Sequence, residues 1–293
     1  MLTQKIVKVG IIGGGLMGRE LLVLAGRWDA LIEHPVRPVI TAIADTSDSA
    51  REFFTKAGVS ESYSDYKQLL ESKNVDVVYI AVPHNLHQEI YLAAINAGKD
   101  FLAEKPFGID LNAAQSISDA LVGKKNFVRV SSEFPFYPGA QAALKEVKSG
   151  RLGEIVEVRS GLLHSSDIDP LKLINWKRQK KFCGEIGVLG DLGMHAAHIP
   201  LRLGFRPTSV FAILDDIITH RPDAKGESIV CDTFDNAVLA LRAKSSESIR
   251  EFPMFWEMKR IAPGEINTFY FTATGLTGGV RFSTRNPAVY QTF

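Results

Sequence analysis

The chain has 293 residues, 45 % hydrophobic and 23 % charged, a composition typical of globular proteins and a length sufficient for two domains. Its formal net charge of +1 argues against a nucleic-acid or membrane-surface partner, because both normally require a local basic excess. No apolar stretch has the length of a membrane span, and Cys183 and Cys231 form no CxxC pair. We therefore expect a cytoplasmic protein with neither a membrane partner, a disulfide framework nor a cysteine-based zinc site.

The first half of the chain alternates short runs rich in Val and Ile with helical segments. Strands are predicted at 6–13, 38–45, 74–83, 99–106 and 126–132. Helices are predicted at 16–26, 48–57, 86–97 and 111–122. This alternation indicates a parallel sheet covered by helices on both faces, that is, a doubly wound α/β domain over residues 1–132.

The second half has a different pattern. A helix is predicted at 138–149, a strand at 153–166, and a second helix around the segment GDLGMHAAH (190–198) after a long irregular stretch. Strands near 207–219, 228–242, 248–259 and 266–273 follow with few helical intervals. We expect a second α/β domain over 133–293, with an open, mostly antiparallel sheet and its helices on one face.

A glycine triplet follows the first predicted strand. Gly13, Gly15 and Gly18 have the spacing GxGxxG, with Leu16 and Met17 opening the next helix. The first glycine permits a tight turn, the second allows a pyrophosphate to approach the backbone, and the third lets the helix pack on the strand. Because the helix N-terminus also favours phosphate, these five residues are predicted to bind a dinucleotide.

An acidic residue at the end of the second strand completes this dinucleotide pattern. Asp45 is placed to bind the ribose hydroxyls, although an inserted loop at 27–38 separates it from the glycines. A carboxylate here would repel a 2′-phosphate, so NAD is favoured. NADP remains an alternative, because Thr46 and Ser47 could bind that phosphate. The competing interpretation is a helix N-cap, for which Ser47 and Asp48 are equally suited.

Two later strand ends carry unusual polar residues, in AVPHNLH (81–87) and AEKPFG (103–108). Ligands of doubly wound sheets bind beyond the carboxyl ends of the strands, which is where both segments are predicted. Lys105 precedes a proline, so its backbone is restricted towards extended conformations. Its ammonium is therefore expected to have a defined direction.

Asp191, His195 and His198 form one stripe of the second predicted helix, because residues three and four apart share a helical face. Three interpretations compete: a metal site, an acid–base pair, and a helix cap followed by histidines in the core. A metal site lacks an obvious further ligand, so none is predicted. The core interpretation is favoured for His198, and the acid–base pair for Asp191 with His195, since histidine titrates near neutral pH.

Weaker candidates for substrate contacts come from the irregular stretch before this helix. His164 ends a predicted strand, where it would either reach a substrate hydroxyl or lie on the surface. Trp176 and Arg178 belong to a loop that would cover the site, and the tryptophan would either stack on a sugar or anchor the loop. The basic run KRQKK (177–181) is interpreted as a solvated loop.

Four motifs together resemble the glucose–fructose oxidoreductase / inositol dehydrogenase (Gfo/Idh/MocA) family: GIIGGGLMG, VYIAVPHNLH, FLAEKPFG and GVLGDLGMHAAH. The resemblance covers about residues 6–283. It implies a Rossmann domain and an α/β domain whose open sheet often forms oligomers, here expected to be a dimer or tetramer. It also implies a nicotinamide cofactor and a sugar or cyclitol substrate.

Residue by residue, the resemblance makes Lys105 the active-site lysine, Asp191 the helix carboxylate and His195 the catalytic histidine. A histidine would take the hydroxyl proton as hydride leaves, with Asp191 orienting its ring and Lys105 stabilising the alkoxide. Glu104 corresponds to the cofactor-side acid of the same motif.

Pro83 and His87 match the family's strand-end motif beside the nicotinamide. The chain departs from the family at His198, where many members have Asp and where a substrate contact is therefore expected to differ. It also ends at NPAVYQTF, where members usually continue with a further helix, so it is either a short variant or a fragment.

These observations predict an NAD(P)-dependent oxidoreductase that acts on a sugar, sugar derivative or cyclitol. Two alternatives on the same scaffold are a glycosidase that uses NAD for transient oxidation and a non-enzymatic regulator that senses dinucleotides. The presence of Lys105, Asp191 and His195 together argues against the regulator. Turnover assays would separate the two enzymes.

Overall fold

The computed structural model describes residues 4–31, 34–246 and 248–293. The chain divides into two compact units, Met1–Ser131 and Ser132–Phe293.

The first unit is built around a six-stranded parallel sheet in the order β3-β2-β1-β4-β5-β6. Its strands are β1 (Lys5–Ile12), β2 (Val36–Ala44), β3 (Glu61–Tyr63), β4 (Val77–Ile80), β5 (Asp100–Ala103) and β6 (Val128–Val130). Its helices are α1 (Leu16–Gly26), α2 (Asp48–Lys56), α3 (Tyr66–Glu71), α4 (His87–Asn96) and α5 (Leu111–Ala120). This topology confirms the predicted Rossmann fold, and the strand order reverses between β1 and β4, where such folds bind ligands.

Both faces of this sheet are buried. Ile11 and Ile12 are neighbours on β1, and they belong to two different hydrophobic clusters because successive side chains of a strand point to opposite faces. Ile43 shares the cluster of Ile11, and Ile80 shares that of Ile12. Each such side chain contributes about 1.5–3 kcal/mol on burial, which explains the near-continuous apolar runs in the sequence.

The sequence prediction omitted β3 and α3. The strand is only three residues long, and its sequence Glu-Ser-Tyr has no apolar run. The helix has six residues and begins after Asp65, whose side chain accepts a hydrogen bond from the Lys67 N–H at 2.9 Å. Short elements with polar ends carry too weak a periodicity to be distinguished from a loop.

The second unit contains a seven-stranded sheet in the order β15-β14-β13-β7-β12-β11-β8. Its strands are β7 (Ile155–Leu163), β8 (Arg206–Asp215), β11 (Asn236–Lys244), β12 (Phe252–Lys259), β13 (Thr268–Gly275), β14 (Gly279–Ser283) and β15 (Tyr290–Thr292). All pairings are antiparallel except that of β12 with β7. The predicted open, mostly antiparallel sheet is confirmed.

The helices of this unit are α6 (Pro138–Lys148), α7 (Lys180–Cys183) and α8 (Val188–Arg202). Apolar residues of α6 and α8, among them Leu144 and Leu192, share one core cluster with Val158 and Met258 of the sheet. The two long helices thus cover one face of the sheet. Asp191 and His195 belong to α8.

The predicted strand 228–242 is wrong as a single element. It consists of β10 (Ser228–Val230), which pairs with β9 (His220–Pro222), and of β11. Between them Asp235 is fully buried and accepts the backbone N–H groups of Ile217 and Ile218 at 2.7 and 2.8 Å. These hydrogen bonds join the segment between β10 and β11 to residues 217 and 218. No local sequence pattern predicts them.

Within the described ranges, no helix combines the length and apolarity that a membrane crossing requires.

Candidate active site

The glycine loop of the first unit is a tight turn between β1 and α1. Gly13 has a φ of +99°, a conformation that favours glycine. A Cβ on Gly18 would lie 2.2 Å from the carbonyl oxygen of Gly13, so that position must also be glycine. Gly15 differs, since a Cβ there would meet no atom within 4 Å. The open side of the turn therefore lies at Gly15, where the first N–H groups of α1 have no intrahelical partner.

Leu16 and Met17 begin α1 and are exposed, Leu16 by 74 %. Apolar side chains exposed at a helix N-terminus offer contact area to a ligand that occupies this terminus. The turn, the open approach at Gly15 and these side chains fit the pyrophosphate of a dinucleotide.

Asp45 stands directly after β2 and holds the glycine loop. Its Oδ2 atom accepts the N–H of Gly14 at 2.7 Å, and its Oδ1 atom accepts the N–H of Ser47 at 2.8 Å. The cap of α2 is Ser47, whose hydroxyl accepts the Ala50 N–H at 3.3 Å. Asp45 is therefore not the helix cap, and its half-buried carboxylate retains lone pairs for ribose hydroxyls.

Glu104 and Lys105 follow β5 in a segment that two tyrosines hold. The hydroxyl of Tyr79 donates to Glu104 Oε1 at 2.6 Å, and that of Tyr91 donates to the Glu104 carbonyl oxygen at 2.8 Å. Glu104 is buried, whereas Lys105 is half-buried and joined to Pro106 by a cis peptide bond. The buried glutamate and its tyrosines thus fix the backbone that presents the lysine.

His87 is fully buried, and both of its ring nitrogens face backbone carbonyls. Nδ1 lies 2.7 Å from the oxygen of Pro106, and Nε2 lies 3.0 Å from that of Val82. Burial lowers the pKa of His87, and the charge of Lys105 lowers it further. The ring joins the end of β4 to the Lys105 segment, so we assign it a positioning role in place of the predicted cofactor contact. Pro83 is half-buried beside it.

In the second unit, Asp191 lies in the first turn of α8 and is 1 % exposed. The helix begins at Val188 with Gly187 as its N-cap, so Asp191 does not cap it. Its Oδ1 atom lies 3.1 Å from Lys177 Nζ, and its Oδ2 atom lies 3.4 Å from Arg260 Nη2. Two cations therefore compensate this buried charge.

His195 lies one turn after Asp191 and is also buried, at 7 % exposure. Its Nδ1 atom is 3.1 Å from the hydroxyl of Ser132, and its ring packs edge-on against Phe134 at 4.9 Å. A hydroxyl at Nδ1 holds the ring in one orientation, since it can donate to or accept from this nitrogen. This partner was not foreseen, because Ser132 is 63 residues away in sequence.

His198 forms a different contact on the same helix. Its Nε2 atom accepts a hydrogen bond from Arg202 Nε at 2.8 Å. Burial, followed by the charge of Arg202, lowers its pKa to about 4. The ring is therefore neutral at physiological pH, and Arg202 occupies its Nε2 atom.

His164 directly follows β7 and is half-buried. Its Nδ1 atom accepts the Ser166 N–H at 3.3 Å, which leaves the ring proton of the neutral form on Nε2. Burial lowers its pKa, while the charge of Asp191 raises it and that of Lys177 lowers it, so both lie within electrostatic reach. The charges of Asp191 and Lys177 therefore act on His164.

Trp176 and Arg178 belong to one short 3-10 helix, Trp176–Arg178, and differ in exposure. Trp176 is half-buried. Arg178 is completely buried, with Nη1 2.5 Å from Asp235 Oδ1 and Nη2 donating to the Ile218 carbonyl at 3.1 Å. Its predicted substrate contact is incompatible with that burial, and the ion pair instead anchors the loop to the strand region around Asp235.

In the part of the chain that the structure describes, no three His, Cys, Asp or Glu side chains converge as metal ligands.

Two family models match this chain in succession. The model of the oxidoreductase family with an NAD-binding Rossmann fold (GFO_IDH_MocA) matches residues 7–132, and the GFO/IDH/MocA C-terminal domain matches residues 140–253. The chain belongs to the Gfo/Idh/MocA oxidoreductase family.

Curated members of this family include similar enzymes. Levoglucosan dehydrogenase of Pseudarthrobacter phenanthrenivorans is 31 % identical over 75 % of this chain and 57 % of its own length. The 1,5-anhydro-D-fructose reductase of Ensifer adhaerens is 26 % identical over 64 % of this chain and 54 % of its own. The chain therefore spans less than two thirds of the length of these relatives.

A solved structure of levoglucosan dehydrogenase in complex with NADH matches with a TM-score of 0.89. It is 27 % identical and covers 98 % of this chain, which covers 76 % of that structure. A second structure, an oxidoreductase domain protein from Kribbella flavida, has the same TM-score at 24 % identity and supports the fold alone.

Within the family fold, sequence reasoning missed Lys177, Ser132 and Arg260. Lys177 belongs to a basic run that was interpreted as a solvated loop, yet its ammonium contacts Asp191. Arg260 is 69 residues from Asp191, and a cation at the end of β12 has no local pattern that predicts this partner.

Proposed function

We propose that this protein is an NAD(P)-dependent oxidoreductase that interconverts a hydroxyl and a carbonyl group of a sugar, sugar derivative or cyclitol. The observation that carries the proposal is the pairing on α8 of a buried, charge-compensated carboxylate, Asp191, with a buried histidine one turn later. Such a combination within a nicotinamide-binding family suits acid–base chemistry at an alcohol.

His195 is the acid–base residue of this proposal. Ser132 holds Nδ1, so Nε2 takes the proton of the substrate hydroxyl during oxidation and returns it during reduction. Asp191 supplies a negative charge one turn before His195, which favours the imidazolium as it forms. Lys105 supplies a positive charge that favours alkoxide character on the reacting oxygen. The nicotinamide, when bound, accepts or delivers the hydride.

The cofactor is proposed to lie on the glycine loop, with its pyrophosphate at Gly15 and its ribose hydroxyls on Asp45. The carboxylate favours NAD over NADP, because a 2′-phosphate would bring a second negative charge to it. Arg51 contacts the Asp45 carbonyl oxygen at 2.5 Å and is the nearby cation that an NADP-binding variant would use.

We further propose a homo-oligomer that forms through β8. This edge strand is exposed along its whole length, and its apolar residues include Val210, Phe211 and Ile213. A long apolar edge strand favours pairing with another chain. Phe211→Lys should reduce the oligomer in sedimentation velocity, whereas Leu111→Lys, at an exposed position of α5, should not. The buried free cysteines Cys183 and Cys231 suit the proposed cytoplasmic location.

The decisive experiment is a cofactor-reduction screen with NAD and NADP over sugars, anhydrosugars and inositols. Stoichiometric NADH formation with a free polyol, lost in His195→Ala, supports the dehydrogenase. Release of an aglycone from a glycoside without net NADH would instead establish the glycosidase. Cofactor binding without turnover of either substrate class would contradict both enzymes and favour a regulator.

A further inference from the structure

We propose that Ser160 and Pro200 together position His195, because the serine hydroxyl holds the helix carbonyl to which the proline cannot donate. This inference rests on the proposed function, in which His195 is the acid–base residue, and adds to it two residues that act through the histidine. All three residues belong to the second unit.

Pro200 lies inside α8 and interrupts its hydrogen-bond pattern. A proline has no N–H to donate to the carbonyl group four residues earlier, and its ring also crowds that carbonyl. In α8 this carbonyl belongs to Ala196, the residue directly after His195. Ala196 and Pro200 are both buried, so the carbonyl is shielded from solvent and needs a donor from within the protein.

Ser160 supplies such a donor from the sheet. It lies on β7, the middle strand of the seven, and is 0 % exposed. The residues beside it on the same face of the strand, Val158 and Leu162, are apolar members of the core. A hydroxyl in such surroundings is unfavourable unless it forms a hydrogen bond. Its Oγ atom donates to the Ala196 carbonyl oxygen at 2.7 Å.

Two departures from the usual sequence pattern therefore meet at one carbonyl group. A serine on the buried face of a central strand and a proline within a helix are each unfavourable by themselves. Together they replace a hydrogen bond within α8 by one between α8 and β7. The helix is thereby fastened to the middle of the sheet at the residue next to His195.

This bond completes the constraints on His195. The contacts with Ser132 and Phe134 hold its ring, whereas the bond from Ser160 holds the backbone one residue later. An acid–base group must be kept within about 0.5 Å of its productive position, which requires that both its ring and its backbone be fixed. We therefore expect the loss of the Ser160 hydroxyl to affect the chemical step.

The competing explanation is that Ser160 only stabilises the fold. In that case Ser160→Ala would lower the free energy of unfolding, but the folded molecules would have the kcat of the wild type. A positioning role instead lowers the kcat of the folded protein and leaves KM nearly unchanged. Pro200→Ala provides an independent test, since the new backbone N–H can donate to Ala196 in place of the serine.

The experiment measures kcat and KM for the best polyol of the screen in wild type, Ser160→Ala, Pro200→Ala, the double variant and Ser60→Ala. The hydroxyl of Ser60 also donates to a backbone carbonyl, that of Thr41 at 3.1 Å, but in the first unit, which makes it the matched control. Circular dichroism establishes that each variant is folded. The imidazole NMR signals of His195, assigned through their loss in His195→Ala, report the environment of the ring without turnover.

Ser160→Ala should lower kcat by about 10- to 100-fold, since a small displacement of a catalytic group has effects of this size. It should also shift the ring signals of His195. Pro200→Ala should remain close to wild type, because Ser160 still holds the carbonyl. The double variant should recover most of the kcat and of the wild-type ring signals, and Ser60→Ala should match the wild type.

Unchanged kcat and ring signals in folded Ser160→Ala would overturn the inference. A double variant as impaired as Ser160→Ala, or unfolded, would overturn it as well. Absence of wild-type turnover on every polyol of the screen would overturn the proposed function, whereas the ring signals would still decide whether Ser160 and Pro200 position the histidine.

Discussion

His195 and Ser132 form a hydrogen bond between ring and hydroxyl, with 3.1 Å from Nδ1 to Oγ. Both residues are buried, and the ring is further held by the edge-on packing of Phe134. When Nδ1 carries the proton and donates it to Ser132, Nε2 has the lone pair that a general base requires. The serine thus orients the ring, and in this tautomer Nε2 is the nitrogen that acts on the substrate.

His195→Ala should lower kcat by about 10²- to 10⁴-fold, the usual contribution of a positioned acid–base group. NADH affinity, measured by calorimetry, should change little. Ser132→Ala should have a smaller effect on kcat and should alter the pH–rate profile, because it removes the hydrogen bond that orients the ring without removing the base. Equal turnover in His195→Ala and wild type would refute the assignment.

Gly15→Val should abolish dinucleotide binding and leave the fold intact. A Cβ at Gly15 meets no protein atom within 4 Å, and its φ of −71° is accessible to valine, so the new side chain would occupy only the ligand's space. Gly26→Val is the matched control, because this glycine ends the same helix and also has nothing within 4 Å. Calorimetry with NADH should separate the two variants, and similar affinities would mean that the loop holds no pyrophosphate.

Asp45→Ser should narrow the preference for NAD over NADP. The substitution removes the charge that opposes a 2′-phosphate and a hydrogen bond to the ribose, which should weaken NAD binding by about 1.5–3 kcal/mol. Because Asp45 also holds the Gly14 N–H, part of this loss should apply to both cofactors. Dissociation constants for both cofactors check the prediction. Equal affinity of the wild type for NAD and NADP would exclude this role.

Asp191→Asn should reduce both kcat and stability. The amide cannot compensate the charge of Arg260, which is 1 % exposed, and an uncompensated buried charge costs about 3–5 kcal/mol. Asp48→Asn provides the comparison, since the Asp48–Arg51 pair has one partner 95 % exposed and should be worth at most about 1 kcal/mol. Urea denaturation measures the free energy of unfolding of both variants, and steady-state kinetics measures kcat. Equal stabilities for the two variants would show that Arg260 does not depend on Asp191.

Acidification should destabilise the protein through His198. Its pKa falls from 6.5 to about 4 on folding, so the unfolded chain binds more protons between these pH values. The contribution of the neutral ring to the free energy of unfolding is therefore fully present above pH 6.5, and it decreases as the pH falls towards 4. His198→Gln should flatten this dependence in urea denaturation, whereas exposed His220→Gln should not. A parallel pH dependence in His198→Gln and wild type would count against the low pKa.

The periodicity of the chain was sufficient to predict the Rossmann sheet and its helices, apart from the short β3 and α3. Buried parallel strands require apolar runs such as that of β1, and the predicted helix 16–26 agrees with α1 to the residue. The glycine triplet was equally informative, because the backbone conformation of Gly13 and the close approach at Gly18 each require a specific residue type. These properties are local, so the sequence carries them directly.

The partners of the polar residues were decided by tertiary structure alone. Ser132 reaches His195 across 63 positions, and Arg260 reaches Asp191 across 69. The same holds for Arg178. Its position in the loop predicts a substrate contact, whereas in the structure it is buried and forms an ion pair with Asp235. A buried charge must find a counter-charge wherever the fold brings one, and sequence spacing does not encode that choice.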